Sequence, residues 1–98
     1  MFGTVGETFT LVCNKSTDDP VEWWYRPDLD AGKTEYITVG AKLINGYKER
    51  CRLNGDDLIF EQLELNDTGY YICLEKAAYG VRHDTYLYVS GNLISALC

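Results

Sequence analysis

Apolar and polar residues alternate in short runs along this chain, and Gly, Pro, Asn and Asp separate the runs. A two-residue period broken by turn residues is the pattern of half-buried β-strands. It predicts strands over Thr4 to Gly6, Thr8 to Asn14, Val21 to Arg26, Glu35 to Val39, Lys42 to Ile44, Tyr47 to Leu53, Asp57 to Leu63, Tyr70 to Glu75 and His83 to Val89. Asn54-Gly55 is a strong hairpin signal between two of them, and Pro27 to Gly32 is a turn-rich connection. The strand at Val21 to Arg26 fixes its own orientation. With Trp23 inward, Val21 and Tyr25 share its face and Glu22, Trp24 and Arg26 point out; the opposite choice would bury two charges at a cost of several kcal/mol. The same reasoning places Leu58, Phe60, Leu63, Tyr71, Cys73, Leu87 and Val89 inside, and makes Arg50 a natural charge-assisted partner for Asp67. The fold class is all-β: a two-sheet antiparallel sandwich spanning residues 1–90, with 91–98 a tail or linker.

The segment Leu58-x-Phe60-x-x-Leu63-x-x-x-Asp67-x-Gly69-x-Tyr71-x-Cys73 resembles the corresponding stretch of the immunoglobulin superfamily without a gap. In such domains two cysteines join the sheets across a buried tryptophan, and a tyrosine two residues before the second cysteine anchors a corner. The resemblance implies a disulfide between Cys13 and Cys73 across Trp23, and the 59 residues between the cysteines are similar in number to an intermediate or short variable domain. A narrower likeness is to the first immunoglobulin domain of the interleukin-1 receptor family. It rests on Val21-Glu22-Trp23-Trp24-Tyr25, on Arg50 spaced before Asp67, and on Cys98 nine residues past Val89.

Composition sharpens this picture. A chain of 98 residues is one domain with a marginal apolar core, so a bridge worth about 4 kcal/mol in the chain-entropy model matters and implies an oxidising, extracellular setting. The aromatic fraction of 13%, with eight tyrosines, is ample for a core and excludes a disordered tail. A formal net charge of −6 repels nucleic acid and anionic lipid, so neither is an expected partner. No basic and apolar leader precedes the first strand, and Leu93 to Cys98 is too short to span a bilayer; any leader or anchor is expected outside these residues. Asn14-Lys15-Ser16 and Asn66-Asp67-Thr68 fit the N-glycan acceptor pattern of a surface or secreted protein.

The candidate chemistry is recognition. Outward positions of neighbouring strands collect Trp24 and Arg26, then Tyr70, Ile72 and Leu74, then Tyr86 and Tyr88, the residue types that dominate protein contacts. Tyr79, beside Gly80, sits where variable domains carry their third binding loop. Each has a plainer reading, a face covered by its own chain and an ordinary hairpin connection. Cys51 reads as a buried free thiol or, with the tail folded back, as a partner for Cys98; pairing of Cys98 outside these residues is the competing reading. His83, Asp84 and Ser90 supply triad residue types, but strand neighbours point to opposite faces and catalysis is not expected. Four cysteines and one histidine lack zinc spacing, and the acid pairs Asp18-Asp19 and Asp56-Asp57 read as solvated turns rather than calcium ligands; no cofactor is expected. The expectation is an extracellular recognition domain of a cell-surface receptor that binds a protein ligand such as a cytokine. The alternatives are a homophilic adhesion module dimerising through the same face, and a viral decoy of a host protein.

Overall fold

In the computed structural model, which describes residues 1–14, 20–28, 31–75 and 81–91, two sheets enclose one core. The first contains β1 (Phe2–Thr4), β10 (Val81–Ser90), β9 (Gly69–Glu75), β3 (Glu22–Arg26) and β4 (Glu35–Tyr36), in that spatial order. The second contains β2 (Phe9–Leu11), β8 (Asp57–Phe60) and β7 (Cys51–Asn54), and a small hairpin joins β5 (Thr38–Val39) to β6 (Lys42–Leu43). All pairings are antiparallel except β1 against β10, which is parallel with Phe2 opposite Tyr88. The inward residues expected from alternation form the core: Val21, Trp23, Tyr25, Leu58, Phe60, Leu63, Tyr71, Cys73, Leu87 and Val89 are all buried. Leu11, Cys13, Ile37 and Cys51 complete it.

A disulfide between Cys13 and Cys73, with Cα atoms 5.9 Å apart, joins the sheets beside Trp23, which is 2% exposed. The indole Nε1 donates to the Asp56 carbonyl at 2.8 Å, satisfying the one polar atom that such burial would otherwise strand. Cys51 is a buried free thiol, and removal from water pushes its pKa up to about 12. Cys98, its possible partner, lies outside the described residues, as does the rest of the tail from 92.

One corner explains the Asp-x-Gly-x-Tyr spacing. The Tyr71 hydroxyl donates to the Asp67 carbonyl and the Tyr25 hydroxyl to the Thr68 carbonyl, both at 2.6 Å, and burial raises the pKa of both phenols. The Asp67 carboxylate, 4% exposed, accepts from Arg50 at 2.6 Å and from the Glu64 amide at 2.8 Å, while Arg50 Nε reaches Glu64 at 2.6 Å. Its hydrogen bond to Asp67 raises the Arg50 pKa. The expected Arg50–Asp67 pair is therefore one strut of a larger knot. Gly69 is required next to it: a Cβ there would sit 2.6 Å from the Tyr25 ring and 2.8 Å from the Arg26 carbonyl.

Several boundaries differ from the alternation reading. The strand expected from Tyr47 begins as a helical turn, α1 (Tyr47–Arg50), and becomes β7 only at Cys51. Tyr47 and Cys51 are four residues apart, so a helical turn carries both toward the core while Lys48 and Glu49 stay in water. The strand expected over Glu35 to Val39 breaks at Ile37, whose amide still bonds Trp23 while its carbonyl accepts from Ile44. There the chain leaves β3 and turns to β6. The first strand lies at Phe2–Thr4 rather than Thr4 to Gly6, and the hairpin turn is Gly55-Asp56, with Asn54 already opposite Asp57.

Candidate functional site

Strand register brings the outward residues of the five-stranded sheet into rows. Trp24 lies between Tyr36 and Ile72, with Asp84 beyond; Arg26, Tyr70 and Tyr86 form the next row; Tyr88 and Phe2 form a third. On the other side of Trp24, Glu22, Leu74 and Arg82 make a mixed row. The rings are mutually buttressed: Trp24 meets Tyr36 edge-on at 5.6 Å between centroids, Tyr70 meets Tyr86 at 4.8 Å, and Phe2 meets Tyr88 at 6.1 Å. Such contacts hold each ring in place.

Exposure separates anchors from supports. Phe2 is 82% exposed, Tyr36 50%, Tyr88 48% and Tyr86 43%. Ile72, expected among the contact residues, is only 1% exposed. It does project from the outer side of the sheet, but its neighbours across the strands and along β9 close over it, so it supports the face from beneath. Trp24, expected to be exposed, is half-buried against Tyr36 and Ile72, and its Nε1 donates to Glu22 at 3.3 Å. Arg26, Tyr70 and Leu74 are likewise half-buried, and Arg26 Nε donates to Thr34 at 2.7 Å.

Phe2 and Tyr36, two of the most exposed rings, are absent from the sequence-derived set. Tyr36 had a signal, its odd spacing from Ile37 in an apolar-polar run, but its place beside Trp24 depends on the β3–β4 register. Phe2 depends on a parallel pairing between residues more than eighty positions apart, for which the local sequence carries no mark.

Tyr79 lies outside the described residues, and so do Lys15 and Ser16 of the first glycan sequon. Asn14 and Asn66 are both exposed; Asn66 lies in the short helical turn before β9, at the corner rather than on the aromatic face. His83 and Asp84 diverge as alternation requires. His83 Nε2 lies 2.5 Å from the buried carboxylate of Glu75 on the inner face, and Asp84 pairs with Arg82 at 2.7 Å on the outer one. A cleft of about 650 Å³ between the β1–β2 turn, α1 and residues 61–64 lies elsewhere, and its cation, Arg50, is already held by Asp67 and Glu64. Among the described residues no helix is long and apolar enough to cross a membrane.

No protein-family model matches the chain, and no curated protein does. Solved structures do. The N-terminal four immunoglobulin domains of Dscam1 isoform 7.44 align over 93% of this chain with TM-score 0.71 at 16% identity. The extracellular domain of the voltage-gated sodium channel beta4 subunit aligns over 94% with TM-score 0.71 at 17% identity. The chain spans 22% of the length of that Dscam1 structure and 90% of the beta4 one. The beta4 structures are parallel homodimers that explain a role in cell-cell adhesion. At these identities the likeness is one of fold, an all-β immunoglobulin-type sandwich.

Proposed function

We propose that this immunoglobulin-type domain is an extracellular recognition module that binds a protein through the outward face of its five-stranded sheet. The observation that carries the reading is the aromatic surface running from Phe2 through Tyr88, Tyr86 and Tyr70 to Trp24 and Tyr36. Aromatic rings with polar edges, ringed by Glu22, Arg26, Arg82 and Asp84, have the composition of a binding core with a charged rim. A stapled sandwich supplies the rigidity, and the disulfide supports an oxidising, extracellular location. The likeness of the sequence to the first domain of interleukin-1 receptors keeps a cytokine among the candidate ligands. Homophilic adhesion through the same face is the second reading, favoured by the homodimeric beta4 ectodomain among the structural neighbours.

The test is a binding screen against purified extracellular domains and cytokines, run in parallel with wild type and a Trp24→Ala/Tyr86→Ala double variant, with melting curves to confirm that the variant folds. A ligand lost in the double variant and retained by an Arg52→Ala variant on the opposite sheet supports the reading. A ligand that binds both variants as tightly as wild type overturns it.

A further inference from the structure

The longest strand of the molecule is only partly covered. β1 pairs with Tyr88, Val89 and Ser90, and the N-terminal amine of Met1 adds one bond to the Tyr86 carbonyl at 2.9 Å. The bonds of Tyr88, Ser90 and Tyr86 to this side show that even-numbered residues of β10 turn their backbone groups away from β9. The amide and carbonyl groups of Arg82 and Asp84 therefore face outward along the sheet edge, where no strand meets them among the described residues. Such an edge is a template for another strand.

Its side chains specify which one. Arg82 and Asp84 lie on the same outer face two residues apart, exposed and paired with each other at 2.7 Å. A second copy approaching antiparallel can place residue 82 opposite 82, opposite 84, or further along. The first register sets like charge against like, as does placing 84 opposite 84. Setting Arg82 of each copy opposite Asp84 of the other makes both cross-strand pairs attractive. In that register both facing residues are even-numbered, so their outward amides and carbonyls meet as hydrogen-bonded pairs, and the two-fold axis passes through His83. Each His83 keeps its own Glu75 carboxylate on the inner side of the sheet.

We infer that two copies of this chain associate edge to edge through Val81 to Thr85 of β10, with Arg82 facing Asp84 across a two-fold axis at His83. The pairing uses the backbone edge of β10 and not the aromatic rings, and meets the aromatic face only at its rim, where Arg82 and Asp84 stand. Its consequence for the face is geometric. A two-fold axis normal to the sheet leaves both copies the same side up, so the two aromatic surfaces lie next to each other on one continuous sheet. A clustered partner would then be held at two points, and the gain in avidity follows from the short, fixed spacing. The paired segment is short, bounded on one side by Met1, so the association is weak and is to be sought at high protein concentration.

Sedimentation equilibrium on the whole chain, up to roughly millimolar concentration, tests this, with melting curves for every variant. Wild type is expected to dimerise reversibly. R82D sets aspartate against Asp84 twice and is expected to raise the dissociation constant about tenfold, and R82D combined with D84R is expected to restore it. Asp84→Pro removes an amide that faces outward together with the exposed Arg82–Asp84 ion pair, so it should lower the melting temperature only slightly while abolishing the dimer. A strict monomer overturns the inference. So does a dimer insensitive to R82D and Asp84→Pro. If Trp24→Ala rather than R82D dissolves the dimer, copies meet through the aromatic face, and the homophilic reading of that face stands while the edge pairing falls. Loss of all ligand binding on Trp24→Ala/Tyr86→Ala with the R82D-sensitive dimer intact leaves both proposals standing.

Discussion

The outer surfaces of the two sheets are built by the same strand period and end up chemically opposite. On the three-stranded sheet the outward row is Thr10, Ile59 and Arg52, with an Arg52–Glu61 ion pair of 2.6 Å laid over the neighbouring positions and Ile59 buried beneath. That is an ordinary solvated face: short polar groups, a charge pair, and one aliphatic side chain hidden. On the five-stranded sheet the outward rows carry aromatic rings that remain open to water. Both faces obey alternation, and both lie over the same core, so folding does not require the difference. An apolar outer face adds nothing to the core and invites aggregation, which makes it the part of the molecule whose composition calls for a functional cause.

The largest expected effects fall on what the two faces share. Replacing Cys13 and Cys73 together by alanine should cost about 4 kcal/mol in the chain-entropy model, enough to leave little of a small domain's net stability. Both faces should be lost together, which calorimetry and ligand binding would show; a double variant that melts within a few degrees of wild type breaks the comparison, because the faces would then not depend on a common staple. Asp67→Ala comes next. It leaves Arg50 without its buried partner and opens the Glu64 amide, an expected loss of about 3 kcal/mol in urea unfolding.

How much of this could be read from residues alone follows a physical line. Trp23 and Tyr71 were legible because alternation within their own strands decides their direction, the Arg50–Asp67 strut because opposite charges were expected at one corner, and the Cys13–Cys73 pair because of the resemblance to immunoglobulin domains. The helical turn at Tyr47–Arg50 was not, since a polar run between two inward residues fits a strand as well as a turn of helix until the core position of Cys51 is known. The aromatic face was legible strand by strand, giving Trp24, Tyr70, Tyr86 and Tyr88. Its extension to Phe2 and Tyr36 and the burial of Ile72 depend on which strands lie side by side, a long-range property.

The difference between the faces is tested most directly by matched truncations. Trp24→Ala with Tyr86→Ala should weaken ligand binding by about 2 kcal/mol or more, roughly thirtyfold, while melting only modestly earlier. Arg52→Ala, on the solvated face, removes an exposed ion pair and should change stability by at most about 1 kcal/mol and binding not at all. Equal effects of the two on binding would erase the distinction between the sheets.

The smallest effect concerns the hairpin beside the aromatic face. Val39 is opposite Lys42, so Gly40 and Ala41 form a two-residue turn in which both have positive φ, 59° and 63°. This turn favours asparagine or glycine, and an alanine in the left-handed region carries a cost of about 1 kcal/mol from Cβ crowding the following carbonyl. Ala41→Gly should relieve most of that cost, offset in part by the greater freedom glycine gains in the unfolded chain, and raise the melting temperature by a few degrees. The turn begins four residues beyond Tyr36, past the break at Ile37. If the aromatic face is preorganised by ring-to-ring contacts alone, relaxing the turn should leave ligand affinity unchanged. A change in affinity that accompanies the gain in stability would mean that the hairpin positions Tyr36, and the recognition surface would then extend past β4 into β5 and β6.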